Sequence, residues 1–143
     1  MRRVLLTVVL GLLVLVTAPS AADNALEGVY KVEGTNANGK PYEGIVEIVA
    51  QGDILHVRWS LPGEQMIGFG FVSRGLLAIV AITPQGIPLQ VVYALKPDGP
   101  LEGEWAAPND TAVRRETLTK LPNDHPEALP PAPSKPPPGQ RAL

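Results

Sequence analysis

The residues from Tyr42 to Trp59 read YEGIVEIVAQGDILHVRW, and apolar and polar side chains alternate along two successive runs of this segment. A period of two is typical of antiparallel strands that are buried on one face and solvated on the other. The polar sequence Gln51-Gly52-Asp53 separates the two runs and is typical of a short turn. The segment therefore predicts one β-hairpin, in which Tyr42 and Trp59 lie on the buried faces.

The sequence on both sides of this hairpin repeats the same strand-and-turn pattern. Strand-like runs occupy residues 28–34, 65–72, 76–82, 87–95, 101–105 and 113–121, with turn-forming residues between them. No run shows the sustained 3.6-residue period of an amphipathic helix. Eight short strands without a long connection predict an all-β, antiparallel up-and-down meander. We expect it to form a small closed or nearly closed barrel, because closure removes exposed edge strands. An open or two-sheet arrangement is the alternative.

Two of these runs depart from simple alternation. Residues 76–82 are apolar on both faces, which predicts that something covers their outer face as well. Within residues 65–72, Phe69 and Phe71 alternate with glycines. Large and small side chains on opposite faces suit a strongly curved sheet, and glycine inside a strand often marks a bend or a close backbone approach.

The two ends of the chain have a different composition. Arg2 and Arg3 precede an apolar run over residues 4–16, and small residues follow at 20–22, which is the order of a cleaved secretory signal peptide. The apolar run is shorter than the roughly 20 residues of a transmembrane helix. At the other end, eight of the last 22 residues are proline, which predicts a disordered tail.

The predicted organisation is therefore a signal peptide over residues 1–22, a β-barrel domain over 23–121 and a disordered proline-rich tail over 122–143. We expect the protein to be exported, to the periplasm or outside the cell, with no stable membrane insertion after signal cleavage.

Composition excludes several classes of function. The chain has no cysteine, so disulfides, thiol catalysis, iron–sulfur clusters and lipid attachment through cysteine are excluded. Its two histidines, His56 and His125, do not supply an ordinary zinc site. Acidic residues number 14 against 12 basic ones, which gives no electrostatic basis for binding nucleic acid. We therefore expect no cofactor, no metal and no nucleic-acid partner.

A family resemblance appears at the two ends of the predicted barrel. Gly28-Val29-Tyr30 on the first strand, Leu101-Glu102-Gly103-Glu104-Trp105 near the end, and the eight-strand meander resemble the avidin and lipocalin group of calycin barrels. The pattern extends over about residues 28–121. Lipocalins usually carry Gly-x-Trp on the first strand, whereas Tyr30 stands in that position here. The resemblance implies a barrel fold that can enclose a ligand cavity, and it carries over no specific ligand.

Aromatic side chains are the candidate ligand-binding residues if the barrel has a cavity. The candidates are Tyr30, Tyr42, Trp59, Phe69, Tyr93 and Trp105. Such residues line apolar pockets, but they also fill an eight-stranded barrel, whose interior is only just wide enough for packed side chains. A packed centre is the favoured interpretation.

No catalytic residues are predicted. His56 alternates with apolar residues on a strand, and so do Glu102 and Glu104, which predicts that all three are solvated outer-face residues. No arrangement of a nucleophile, a base and oxyanion donors is visible, and the protein is therefore expected not to be an enzyme.

Two functional hypotheses remain open. The first is an exported module that binds an unknown protein or an envelope polymer through its surface. The second is a calycin-like carrier of a small apolar ligand inside the barrel. The cavity volume separates them, because a carrier needs a lined cavity of roughly a few hundred Å³ and a surface-binding module has a packed centre.

Overall fold

A computed structural model of the protein describes residues 25–122. This part of the chain forms a closed antiparallel barrel of eight strands, in which each strand pairs with the next and β1 pairs with β8. The strands are β1 Gly28–Thr35, β2 Pro41–Gln51, β3 Ile54–Leu61, β4 Glu64–Ser73, β5 Leu76–Ile82, β6 Pro88–Ala94, β7 Leu101–Ala106 and β8 Arg114–Lys120. The predicted up-and-down barrel is confirmed. The predicted signal peptide lies outside the described residues, as does the predicted tail after Pro122, and both stay predictions.

Short turns join consecutive strands, as the sequence predicts. The turn between β2 and β3 contains Gly52, whose φ of 63° lies in the left-handed region. Glycine adopts this region without the steric cost that a Cβ atom brings. The hairpin over residues 42–59 therefore pairs in the register that its alternation requires, with Val46 opposite Trp59.

Inward-facing side chains from all eight strands pack the barrel interior, and β4 contributes the partly buried Met66 and Val72. The buried apolar residues are Tyr30, Val32, Val46, Ile48, Leu55, Val57, Trp59, Leu77, Ile79, Ala81, Leu89, Val91, Tyr93, Leu101 and Leu118. Trp59 and Tyr93 are the largest of the fully buried side chains. The barrel therefore has a filled centre, and the cavity described below lies at one end.

The fourth strand turns its small residues inward. A Cβ atom added to Gly68 would lie 2.7 Å from the Val80 carbonyl oxygen and 3.0 Å from Ile79 Cγ2. Ile79 is buried in the interior, so it already occupies the space beside β4. The aromatic residues consequently lie on the outer face, where Phe69 is 58% exposed and Phe71 is 53% exposed. The prediction that Phe69 lines the interior is wrong.

The outer face of β5 is also apolar. Leu76, Val80 and Ile82 are exposed, and nothing within residues 25–122 covers them. The cover predicted for this face is therefore not found in the part of the chain that the structure describes.

Candidate functional site: a buried glutamate at one end of the barrel

One acidic side chain lies inside the barrel. Glu116 is 5% exposed and is the only charged residue buried in the described part of the chain. It precedes Leu118 by two positions on β8, and the two side chains therefore share the inner face. A buried carboxyl group is costly unless hydrogen bonds compensate the lost hydration, so its partners determine what this site can do.

The glutamate lies at the centre of a row across five strands. Glu116 pairs with Gly34 of β1 on one side and with Gly103 of β7 on the other. Gly34 pairs in turn with Tyr42 of β2, and Gly103 pairs with Tyr93 of β6. Each glycine leaves space for a tyrosine ring, since a Cβ atom at Gly34 would lie 2.8 Å from Tyr42 Cε1. The two rings therefore reach over the glycines toward the carboxyl group.

Both tyrosine hydroxyl groups donate to the glutamate. Tyr42 Oη donates to Glu116 Oε2 over 2.5 Å, and Tyr93 Oη donates to Glu116 Oε1. Burial raises the pKa of Glu116, while the hydrogen bonds from Tyr42 and Tyr93 act in the opposite direction without cancelling the effect. Burial and the nearby carboxyl group raise the pKa of both tyrosines, so both stay protonated donors over the physiological pH range.

No basic side chain of residues 25–122 neutralises this carboxyl group. None of the ion pairs formed between described residues includes Glu116. Arg115 precedes Glu116 directly and therefore lies on the opposite face of β8. The nearest basic residue on the same face as Glu116 is Arg114, whose Nη2 donates to Asp110 Oδ1 over 2.9 Å. Its guanidinium also stacks over the Trp105 ring, 4.9 Å from the ring centroid. Arg114 is thus engaged elsewhere, and the charge of an ionised Glu116 is left for other groups to compensate.

A cavity of about 150 Å³ opens beside Glu116 at this end of the barrel. Its lining residues are Asn36, Tyr42, Trp59, Leu61, Glu64, Met66, Ala81, Thr83, Leu89, Val91, Trp105 and Glu116. The indole Nε1 of Trp105 is buried and has no hydrogen-bond partner among residues 25–122. The cavity therefore combines aromatic walls with one buried carboxyl group, and the indole N–H of one wall residue makes no hydrogen bond among residues 25–122.

The structure brings together some of the predicted ligand-binding residues and separates others. Tyr42, Trp59 and Trp105 line the cavity, and Tyr93 lies fully buried against Glu116. Tyr30 is buried near the opposite end, where its hydroxyl group donates to the Leu26 carbonyl oxygen over 2.7 Å. Phe69, as described above, lies outside the barrel.

Sequence reasoning missed Glu116, although a signal was present. Alternation along β8 places Glu116 in phase with Leu118, so that an acidic residue lies on an apolar face.

The residues that the sequence predicts to be solvated do lie outside the barrel. His56 is exposed beside Gln51, and Glu102 is exposed with an ion pair to Lys96 at 2.6 Å. No group of three or more His, Asp or Glu residues in the described range is placed to hold a metal ion.

A second candidate surface lies on the outside of β4 and β5. We call it the outer apolar face and define it by Ile67, Phe69, Phe71, Val80 and Ile82, all of which are exposed. A cleft of about 410 Å³ runs beside Phe69 and is bordered by Glu47, His56 and Arg58. This face is separate from the Glu116 cavity, because the two lie on opposite sides of the barrel wall.

Comparisons with known proteins support the fold. No protein-family model and no curated protein matches the sequence. A redesigned β-barrel of solved structure has a TM-score of 0.62 and 15% identity, over 71% of this chain and 96% of that one. The redesigned β-barrel mFAP1 bound to DFHBI has a TM-score of 0.57 and 14% identity, over 71% and 100%. The redesigned β-barrel mFAP0 bound to DFHBI has a TM-score of 0.56 and 14% identity, over 66% and 98%.

At these identities the likeness shows the fold alone. Residues 25–122 form a closed eight-stranded antiparallel barrel, and no specific family is shown. No helix between residues 25 and 122 is long and apolar enough to cross a membrane.

The raised pKa of Glu116 predicts a distinctive pH dependence of stability. A carboxyl group with a pKa above its unfolded value of about 4.3 holds its proton more tightly in the folded state. The contribution of Glu116 to the free energy of unfolding is therefore greatest at pH values below its unfolded-state pKa. It falls as the pH rises through the folded-state pKa. Glu116→Gln, which cannot titrate, should lack this fall in urea melts recorded from about pH 4 to 8.

The other acidic residues are the same in the wild type and in Glu116→Gln, so their contributions cancel when the two pH profiles are subtracted. Asp110 and Glu102 have lowered pKa values, so their stabilising contributions are lost at the acid end, below their usual range. A pH profile of Glu116→Gln that runs parallel to that of the wild type would contradict the assignment.

Proposed function

We propose that this protein is an exported, non-enzymatic binding module that engages a protein partner through its outer apolar face. The observation that carries the proposal is the exposure of large apolar side chains on β4, where Ile67 is 65% exposed and Phe69 and Phe71 are each more than half exposed. Soluble monomers rarely expose large contiguous apolar patches, and such patches mark interaction sites.

The register of the sheet makes this patch contiguous. Phe69 lies between His56 of β3 and Val80 of β5, and Ile67 is paired with Ile82. Phe69 therefore lines the cleft together with the aliphatic residues Ile67, Val80 and Ile82. A buried aromatic anchor surrounded by smaller contacts is the usual centre of a protein–protein interface.

Charged side chains border the cleft and supply a polar rim. Arg58 Nη1 lies 3.6 Å from Glu47 Oε2, and both residues line the cleft beside the apolar centre. An apolar centre with a polar rim is the common anatomy of a protein interface. A protein segment with an apolar side chain flanked by polar groups fits this surface better than a uniformly polar polymer.

The packed interior also favours surface binding over a carrier role. Most of the barrel is filled, and the end cavity of about 150 Å³ is smaller than the roughly 300–1,000 Å³ of ordinary ligand pockets. The predicted signal peptide over residues 1–22 supports export.

The proposal is tested by photo-crosslinking from position 69 in cells that export the protein. A photoreactive phenylalanine analogue replaces Phe69 in one variant and Val113 in a matched control, because Val113 is 59% exposed and lies outside the outer apolar face. We expect one adduct of defined mass from position 69, absent from position 113. Ile67→Ser and Phe71→Ser should abolish it without changing the thermal midpoint by more than a few degrees, since both residues are exposed.

Two results would overturn the proposal. Identical adducts from both positions would show collisional labelling without a specific site. An adduct of twice the mass of this chain would show that the outer apolar face joins two copies of the protein, and not a different partner.

A small-ligand carrier is the second candidate. The observation in its favour is the cavity beside Glu116, with its aromatic walls and unused indole N–H. Two structural neighbours are bound to DFHBI, and this supports the candidate by fold analogy alone.

A further inference from the structure

Within residues 25–122, the charged side chains that line the end cavity are all acidic. Two acidic residues, Glu64 and Glu116, line it, and no Lys, Arg or His of the described range does. Glu116 is the deeper of the two and already accepts from two tyrosines, which leaves each carboxyl oxygen with capacity for a further contact. When Glu116 is ionised, a positively charged occupant is the species that such a cavity favours.

The walls of the cavity suit an organic cation better than a hydrated metal ion. Three aromatic side chains, Tyr42, Trp59 and Trp105, lie around it. Aromatic faces attract ammonium groups through their quadrupoles, and sets of such rings bind quaternary ammonium ligands. Leu61, Met66 and other apolar residues complete the wall and supply no ligand oxygens.

The volume limits the size of the occupant. A cavity of about 150 Å³ accommodates a molecule of roughly the size of benzene. We propose that this cavity is a binding site for a small organic ammonium ion, held by the carboxylate of Glu116 and by the rings of Tyr42, Trp59 and Trp105. This site is independent of the outer apolar face and of the partner proposed for it.

The unused indole donor adds a second element of specificity. Trp105 Nε1 is buried without a partner among the described residues, and a buried donor without an acceptor is costly. A ligand that carries a hydroxyl or carbonyl oxygen close to its ammonium group can accept this hydrogen bond. Small amino alcohols are therefore favoured over simple alkylammonium ions.

Titration of Glu116 should control the affinity. The titratable groups that face it are Tyr42 from β2 and Tyr93 from β6, and Glu64 also lines the cavity. β1 and β7 contribute only Gly34 and Gly103 beside it, and Arg114 is paired with Asp110. Because both tyrosines stay protonated, binding of a cation should strengthen as the pH rises and Glu116 loses its proton.

The test compares choline with its neutral carbon isostere, in which carbon replaces the nitrogen, by calorimetry on the exported full chain. We expect choline to bind at least about tenfold more tightly than the isostere, because its positive charge is attracted by the Glu116 carboxylate and by the faces of the aromatic rings, which the neutral isostere does not exploit. Glu116→Gln should remove this preference and its pH dependence. Tetramethylammonium should bind more weakly than choline, because it lacks the oxygen that accepts from Trp105.

Further variants locate the bound cation inside the end cavity. Phe69→Ser should leave choline binding unchanged, because Phe69 lies outside the barrel. Trp105→Phe keeps an aromatic wall and removes the indole donor, so it should reduce the preference for choline over tetramethylammonium. Equal binding of choline and its neutral isostere, unchanged choline binding by a folded Glu116→Gln variant, or no binding of either compound at millimolar concentration would overturn the proposal.

Discussion

Replacing Trp59 with alanine is expected to lower the free energy of unfolding by about 3–5 kcal/mol, as for other buried tryptophans. Trp59 is 1% exposed and lies between Val46 of β2 and Met66 of β4 in the sheet register. A domain of this size has a total stability of only about 5–15 kcal/mol, so the variant should unfold at much lower urea concentration than the wild type.

Trp105→Ala is the matched comparison. The sequence predicts equal costs for the two tryptophans, because alternation places both on inner faces. In the structure Trp105 is only partly buried and lies at the cavity, stacked against Arg114. We therefore expect Trp105→Ala to cost less than Trp59→Ala. A Trp59→Ala variant with nearly wild-type stability would contradict the packed centre and favour a carrier role for the barrel.

The strand pattern was predictable because it is local. Alternation over residues 42–59 and the turn at Gly52 are properties of neighbouring residues, and they fix strands and hairpins without long-range information. The sequence favours closure without deciding it, since a meander with short turns leaves two edges that closure removes, while an open or two-sheet arrangement stays compatible with the same strands.

The face of β4 was not predictable in the same way. Alternation divides its residues into two sets, with Phe69 in one and Gly68 in the other, and hydrophobicity then favours the aromatic set inside. The structure reverses this choice because Ile79 of β5 fills the interior where β4 passes. Which set faces inward depends on the space left by a neighbouring strand, and that information is absent from the sequence of β4 itself.

The Glu116 site depends on register across five strands. A glycine on each side of the glutamate and a tyrosine beyond each glycine become visible only when β1, β2, β6, β7 and β8 are aligned. In the sequence Tyr42 and Glu116 are 74 positions apart. The inner-face acid on β8 is readable from alternation, but its hydrogen-bond partners are not.

The row of five residues leads to a prediction about its glycines. Gly103→Ala should lower the free energy of unfolding by about 1–3 kcal/mol, because an added Cβ atom would lie against the Tyr93 ring and overpack the core. Tyr93 is fully buried and has no space to move aside. Gly34→Ala should cost less, since Tyr42 is only partly buried and lines the cavity, which gives its ring more room to shift than Tyr93 has. Urea melts of the two single variants measure the difference.

A double-mutant cycle identifies the cause. Tyr93→Leu removes the ring that meets the new methyl group, so Gly103→Ala should cost much less in that background than in the wild type. Tyr42→Leu is the matched control, because Tyr42 reaches Glu116 over Gly34 and not over Gly103. If Gly103→Ala costs the same in all three backgrounds, its effect arises in the backbone of β7, and Gly103 is not what lets the Tyr93 hydroxyl group reach Glu116.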